Sequence, residues 1–231
     1  MGIGYFVIIG LFALLGMVVS GRLKSKFAHY SKIPTARGLS GKDVAVQMLN
    51  HYGINDVRVV EGQGFLSDHY NPATKTVALS PDVFNGRSIA SAAVAAHECG
   101  HAVQHATAYS MLQMRSRLVP IVQFSSNIQQ FLFMALMVGV GANMGGNVLA
   151  MVLIATFGIT ALFSLVTLPV EFDASNRALA WLDDSGIMAG VEHDGAKDAL
   201  WWAAMTYVVQ ALSALVMFLY FLLRFLGSSN D

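Results

Sequence analysis

Four stretches of the chain are apolar over a length that can cross a lipid bilayer. A helix rises 1.5 Å per residue, so about 20 residues cover the roughly 30 Å hydrocarbon core. The stretches cover approximately residues 3–20, 119–140, 148–169 and 203–225. The pattern predicts four transmembrane helices. The first should be a retained anchor, because the basic residues Arg22, Lys24 and Lys26 follow the apolar run instead of preceding it.

The segments between these spans, 21–118 and 170–202, hold nearly all the polar residues. Residues 40–52 start with a capping serine and carry apolar residues at helical spacing, which predicts a short helix. Residues 56–61 and 75–80 are β-branched and partly alternating, with the turn residues Asn71 and Pro72 between them, which predicts a small sheet or hairpin.

Residues 88–108 are rich in alanine and free of proline, so they predict a long, well-packed helix. Three histidines and a glutamate in the helix make a position facing lipid costly, which argues against a fifth span.

Composition supports a membrane protein and excludes other classes. The chain is 55% hydrophobic and 12% charged, too apolar for an ordinary soluble domain. Its formal net charge is zero and it has no basic block, so no nucleic-acid surface is indicated. The single cysteine, Cys99, excludes an intramolecular disulfide.

Charge placement predicts the orientation. All lysines and arginines except Arg224 lie in segments 21–118 and 170–202. These segments are also the longer ones, but the basic residues just after the first span are close enough for the positive-inside rule to apply. The rule places both segments in the cytosol.

The run His97-Glu98-Cys99-Gly100-His101 carries the chemistry. Its two histidines are one helical turn apart on one face, where both can reach one zinc ion. Glu98 beside them is placed to act as general base and to pass a proton to the leaving amine. Cys99 should point away from this face.

A catalytic zinc ion commonly has three protein ligands, so a third is expected. His105 is on the same face but about 12 Å along the axis from His97, too far to share the ion. Glu171, directly after the third span, is the better candidate. The alternative is that Glu171 and Asp173 only favour the first turn of a new helix after Pro169.

Other polar residues have weaker assignments. Arg177, His193 and Tyr207 are candidate oxyanion stabilisers, and each is more often a surface or interface residue. Asp68 and His69 have three possible roles: residues of a turn, partners of a metal ligand, or a second metal site. The turn is favoured.

Several motifs together resemble the YugP-type neutral zinc metallopeptidases of bacterial membranes. The matching segments are Ser67-Asp68-His69-Tyr70-Asn71-Pro72, Gly86-Arg87-Ser88, 96–104 and Glu171-Phe172-Asp173-Ala174-Ser175. The resemblance covers about residues 5–225. It implies a zinc-dependent peptidase of the bacterial inner membrane, with His97, His101 and Glu171 as ligands and Glu98 as general base.

The arrangement is also distantly similar to the HtpX-type and CAAX-prenyl membrane proteases. Their downstream motif is Glu-x-x-x-Asp, whereas Ser175 stands here in place of the aspartate. Asp173 or Ser175 is therefore the candidate partner of a zinc-bound histidine. In that broader class an edge strand pairs with the substrate backbone, and residues 75–79 are the candidate strand.

We therefore predict a mainly α membrane protein with about four transmembrane helices and a small α+β zinc-peptidase domain. The expected function is zinc-dependent hydrolysis of membrane-associated or membrane proteins at the cytosolic face. The alternative is a non-catalytic, zinc-stabilised membrane scaffold that binds partner proteins. A membrane-protein partner and a homo-oligomer both remain open. The predicted segments are an anchor (1–20), a metallopeptidase region (21–118), a transmembrane hairpin (119–169), a cytosolic segment with the third ligand (170–202) and a last span (203–225).

Overall fold

The computed structural model describes residues 3–64, 67–137 and 146–228. The described chain is mostly helical, with one small sheet. The helices are α1 (Ile3–Tyr30), α2 (Gly41–His51), α3 (Pro81–Phe84), α4 (Ile89–Ala106), α5 (Ser110–Met137), α6 (Gly146–Asp184) and α7 (Val191–Ser228). The strands are β1 (Arg58–Glu61), β2 (His69–Asn71) and β3 (Thr76–Leu79).

Three of the described helices are long and apolar enough to cross a membrane: Ile3–Tyr30, Val148–Asp184 and Val191–Gly227. They contain the first, third and fourth predicted spans. The second predicted span, 119–140, falls on α5 as far as Met137, and this part does not meet the same criteria. Residues 138–140 of that span and 141–145 of the predicted turn lie outside the described residues.

The chain divides into two compact units. The first unit combines 1–18, 114–168 and 206–231, and the second combines 19–113 and 169–205. In the first unit a cluster of buried apolar side chains includes Tyr5, Leu153, Met217 and Phe221.

The second unit is built around α4. Ser88 caps this helix by accepting a hydrogen bond from the backbone N–H of Ser91. The small side chains of its alanines let α2 and α6 approach closely. The core therefore joins α4 to Met48 of α2, Leu79 of β3 and Leu182 of α6, all of them buried.

The predicted helix at 40–52 is confirmed as α2. Ser40 and Asp43 form a capping box, in which each side chain bonds to the backbone N–H of the other residue. The small sheet is also confirmed, with the strand order β1-β3-β2.

The sheet differs from the prediction in one respect. β3 pairs parallel with β1 and antiparallel with β2, so it is the central strand. Residues 75–79 are therefore not an edge strand, and that expectation was wrong. The hairpin links β2 to β3, and in its turn Asn71 Oδ1 accepts hydrogen bonds from the N–H groups of Ala73 and Thr74.

Pro169 does not start a new helix, contrary to the alternative considered for Glu171. It lies inside α6, which continues to Asp184. A proline inside a helix removes one hydrogen bond. Packing of the following turns offsets this loss, because Val170, Ala174 and Ala178 are fully buried. Glu171 therefore projects from the middle of a long helix.

Candidate metal centre

Three side chains that the sequence singles out converge in the second unit. α4 carries His97 and His101 one turn apart, and α6 carries Glu171. Their ligand atoms all lie within 4.8 Å of one another. His97 Nε2 is 3.5 Å and His101 Nε2 is 3.7 Å from Glu171 Oε2. The same oxygen thus faces both imidazole rings.

This donor set suits zinc. Two imidazole nitrogens and one carboxylate oxygen are a common ligand set of catalytic zinc sites. Bonds of about 2.0–2.1 Å in a tetrahedron place ligand atoms roughly 3.4 Å apart, close to the two separations seen here. Glu171 is only 2% exposed, and a carboxylate this deeply buried requires cationic or hydrogen-bonding partners.

A close contact between the two helices holds the triad together. A Cβ atom on Gly100 would lie 2.5 Å from the carbonyl oxygen of Ala174. Only glycine therefore allows α4 to come this near to α6. Gly100 lies between the two histidines, and Ala174 follows Glu171 by one turn, so the contact sets the spacing of the ligands.

The rings of both histidines have partners on their other nitrogen. His97 Nδ1 lies 3.1 Å from Ser175 Oγ, and His101 Nδ1 lies 3.0 Å from Gln104 Oε1. The hydrogen bonds of Asp173 go to residues other than these two histidines. Its Oδ2 accepts hydrogen bonds from Gln104 Nε2 at 2.8 Å and from Arg177 Nε at 2.6 Å.

Charge at the triad shifts the titration of His101. Burial by itself lowers its pKa, but the nearby carboxylates of Glu171 and Glu98 outweigh burial, so that the pKa of His101 is raised. The Glu171 and Glu98 carboxylates thus favour the protonated form of the His101 ring.

Glu98 lies beside the triad and contacts the sheet. It is 9% exposed, and its Oε2 accepts a hydrogen bond of 3.0 Å from the backbone N–H of Tyr70 in β2. β2 is an edge strand of the sheet. The Glu98 carboxylate thus links the helix that carries both histidines to the edge strand β2.

Several remaining candidates lie apart from the triad. His105 is exposed, and its Nδ1 is 2.7 Å from Tyr70 Oη. Asp68 accepts hydrogen bonds from the N–H and hydroxyl of Ser80. Cys99 is buried against the carbonyl of Ala45, and burial raises the pKa of its thiol.

The three oxyanion candidates are placed differently. Arg177 bonds to Asp173, and its guanidinium lies over the ring of Tyr109. His193 lies in the first turn of α7, outside this set of contacts. Tyr207 belongs to the first unit.

Two residues of the site, Gln104 and Tyr70, lie in the motifs quoted for the resemblance but were given no role from the sequence. Gln104 is three residues after His101, so helical spacing alone could have placed it near the ligand. Tyr70 carried no such signal for a contact with Glu98, because it is 28 residues away in another element.

Comparison with known proteins gives the family. Residues 5–226 match the family model described as "Putative neutral zinc metallopeptidase". The chain is 38% identical over 210 residues to the "Putative membrane protease YugP" of Bacillus subtilis (strain 168), covering 91% of each chain. No solved structure matches the chain. The chain therefore belongs to this family of neutral zinc metallopeptidases.

Proposed function

We propose that the chain is a zinc-dependent endopeptidase that cleaves membrane proteins or membrane-associated segments at the cytosolic face, with Glu98 as general base. One observation carries the proposal. The carboxylate of Glu98 acts electrostatically on His101, one of three residues whose ligand atoms converge, and it accepts a hydrogen bond from the edge strand β2. This is the arrangement that peptide hydrolysis requires.

Each residue has a separate role in this reaction. His97, His101 and Glu171 would hold zinc, which when bound acts as a Lewis acid toward the carbonyl and lowers the pKa of water to about 7. Glu98 takes a proton from the attacking water as the new carbon–oxygen bond forms. It then gives that proton to the amine nitrogen as the carbon–nitrogen bond breaks.

The substrate backbone is expected to pair with β2. β3 is flanked on both sides, whereas β2 is an outer strand of the sheet formed by the described residues and contacts Glu98 through the N–H of Tyr70. An extended peptide added to this edge would run beside the triad. Its carbonyl group would compete with Glu98 for the Tyr70 N–H, which would release the carboxylate to accept a proton.

Two features of the chain support a substrate in or at the membrane. Glu171 directly follows the predicted span 148–169 and lies within the stretch Val148–Asp184, which is long and apolar enough to cross a membrane. The positive-inside rule places segments 21–118 and 170–202 in the cytosol. Arg177, His193 and Tyr207 stay predictions as oxyanion stabilisers.

Glu98→Gln tests the mechanism. The amide cannot take up a proton, so hydrolysis by the purified, zinc-loaded chain in detergent should fall by about 10²–10⁴-fold. Zinc content should stay the same, because Glu98 is not a proposed ligand. The measurement is cleavage of casein and of a membrane-protein substrate, with metal analysis of the same sample.

Glu61→Gln is the matched control. Glu61 is exposed on β1 and accepts a hydrogen bond from Asn85, which a glutamine can still accept. The control should cleave as the wild type does. Unchanged hydrolysis by Glu98→Gln would refute the role of Glu98. Bound zinc without any hydrolysis by the wild type would favour the scaffold function instead.

A further inference from the structure

Gln104 is the most deeply buried polar side chain beside the metal centre. It is 0% exposed and lies one turn beyond His101 on α4. Both ends of its amide are engaged. Oε1 is 3.0 Å from His101 Nδ1, and Nε2 is 2.8 Å from both the carbonyl oxygen of Val170 and Asp173 Oδ2.

These partners fix which end of the amide faces which neighbour. A carbonyl oxygen and a carboxylate oxygen only accept hydrogen bonds, so the group that faces Val170 and Asp173 has to be the NH₂. The two amide hydrogens match these two acceptors. The oxygen of Gln104 must then face His101, where it can only accept.

We propose that Gln104 is a positioning residue that determines which ring nitrogen of His101 carries the hydrogen. Because its oxygen only accepts, the Nδ1 of His101 must carry a hydrogen, and in the neutral ring, the form that binds a metal, this leaves the lone pair on Nε2. The Nε2 atom of His101 faces Glu171 and His97. The inference rests on the proposed function, since it deepens the account of the same zinc site.

Asp173 and Arg177 act behind Gln104. Arg177 Nε donates to Asp173 Oδ2, the same oxygen that accepts from Gln104. The four residues form a chain from Arg177 through Asp173 and Gln104 to His101. Asp173 thus reaches the metal centre through an intervening amide and not by direct contact with a ring.

Among the described residues, the other histidine, His97, has no partner that fixes its ring in this way. Its Nδ1 faces the hydroxyl of Ser175, which can rotate and either donate or accept. Ser175 therefore tolerates both ring forms of His97, whereas Gln104 tolerates one form of His101. The two ligands are unequal in this respect.

The test compares zinc affinity of the full chain in detergent for the wild type and Gln104→Met. Methionine has a similar length but accepts no strong hydrogen bond, so His101 loses its orientation. Loss of such a partner typically weakens metal binding by about 10–100-fold. Gln113→Met, at an exposed glutamine of α5, is the control and should bind zinc as the wild type does.

A spectroscopic readout separates positioning from a general structural effect. In the zinc-loaded wild type, ¹⁵N NMR of labelled histidines should show the His101 ring protonated at Nδ1 and bonded to zinc through Nε2. The Nδ1 proton should exchange faster in Gln104→Met. Binding through Nδ1 in the wild type, or identical ring signals in both proteins, would overturn the inference.

Asp173→Ala provides a second variant, which is tested alone if Gln104→Met does not fold, and unchanged zinc affinity in Asp173→Ala would then contradict the proposed chain of contacts. The side chain of Asp173 is partly exposed, so its removal is milder. We expect a several-fold loss of zinc affinity with Gln104 present and no further loss in the Gln104→Met background. Equal losses in both backgrounds would contradict the proposed chain of contacts.

The two proposals fail in different ways. A wild type that binds no zinc overturns the proposed function and this inference together. A wild type that binds zinc and cleaves its substrate, alongside a Gln104→Met variant with the same zinc affinity, overturns the role of Gln104 alone.

Discussion

A histidine can bind a metal through either ring nitrogen, and the surroundings decide which one is available. In this protein both Nδ1 atoms are occupied, one by Ser175 and one by Gln104. Both Nε2 atoms consequently face Glu171. The local contacts of the rings therefore determine the donor set as much as the spacing of the two histidines does.

The raised pKa of His101 predicts how zinc binding depends on pH. Zinc takes the neutral imidazole, so protons compete with it. Because the Glu171 and Glu98 carboxylates raise the pKa of His101 against the effect of burial, zinc affinity should start to fall above the ordinary histidine value of about 6.5 as the pH is lowered. Protonated His101 stabilises the metal-free fold at low pH, and that contribution is lost as the pH rises through the raised pKa.

The measurement is competition with a zinc chelator of known pH dependence. Glu98→Gln serves as the comparison, since it removes one of the charges that raise the pKa of His101 while keeping all three proposed ligands. Its affinity profile should move to lower pH. A wild-type profile that weakens only well below pH 6.5, or identical profiles for both proteins, would be inconsistent with this electrostatic account.

At the scale of elements, the crossing of α4 and α6 is what brings ligands from distant parts of the sequence together. The alanine run and the capping serine made α4 predictable, as did the spacing of its histidines. The passage of α6 through Pro169 was not predictable from local signals, because buried packing of the next turns offsets the missing hydrogen bond. The central position of β3 was also not predictable, because β3 is central only when β2 is counted as a strand. β2 is too short to show an alternating pattern in the sequence.

Gly100→Ala tests the crossing. The added methyl group would meet the Ala174 backbone, with the carbonyl oxygen 2.5 Å and the carbonyl carbon 3.1 Å away. Backbone cannot rotate aside, so the helices must separate, at a cost of about 1–3 kcal/mol in stability. The histidines would move away from Glu171, and zinc affinity should fall as well. Thermal unfolding and zinc titration measure the two effects.

Gly21→Ala is the control for this change. Gly21 lies in helix α1, and a Cβ atom there would meet nothing within 4 Å. Alanine is the better helix former by up to about 1 kcal/mol, so this variant should be as stable as the wild type or more stable. Similar losses in both variants would mean that the close contact at Gly100 is unimportant.

At the scale of the whole molecule, the triad constrains how the chain crosses the membrane. His97 and His101 lie before α5, and Glu171 lies in α6 after the predicted span 148–169. Ligand atoms within 4.8 Å of one another must be on the same side of a bilayer. The chain between His101 and Glu171 must therefore cross an even number of times. If α6 crosses, a second crossing is required between His101 and α6, and 119–140 is the predicted segment for it, although hydropathy does not select its described part.

The three proposed ligands were predictable from the sequence, but the contacts that orient them were not. His97, His101 and Glu171 belong to residue types with few alternative uses in a buried, apolar setting. Gln104 and the Tyr70 N–H have many such uses, and only the packing of α4 against α6 and β2 gives them a role. The number of spans was only partly predictable from the sequence. The polar residues at the start of the second apolar stretch lower its mean hydropathy.

The four-span arrangement predicts opposite labelling at two positions. Gln47 is exposed on α2 in the second unit, and Asn143 lies in the predicted turn, outside the described residues. In intact cells a membrane-impermeant maleimide should label Asn143→Cys, and it should label Gln47→Cys only after permeabilisation. The native Cys99 adds little background, because its thiol is buried and burial raises its pKa. Labelling of both positions from the same side would mean that residues 119–140 do not cross. Labelling of Gln47→Cys alone in intact cells would place the metal centre outside the cytosol.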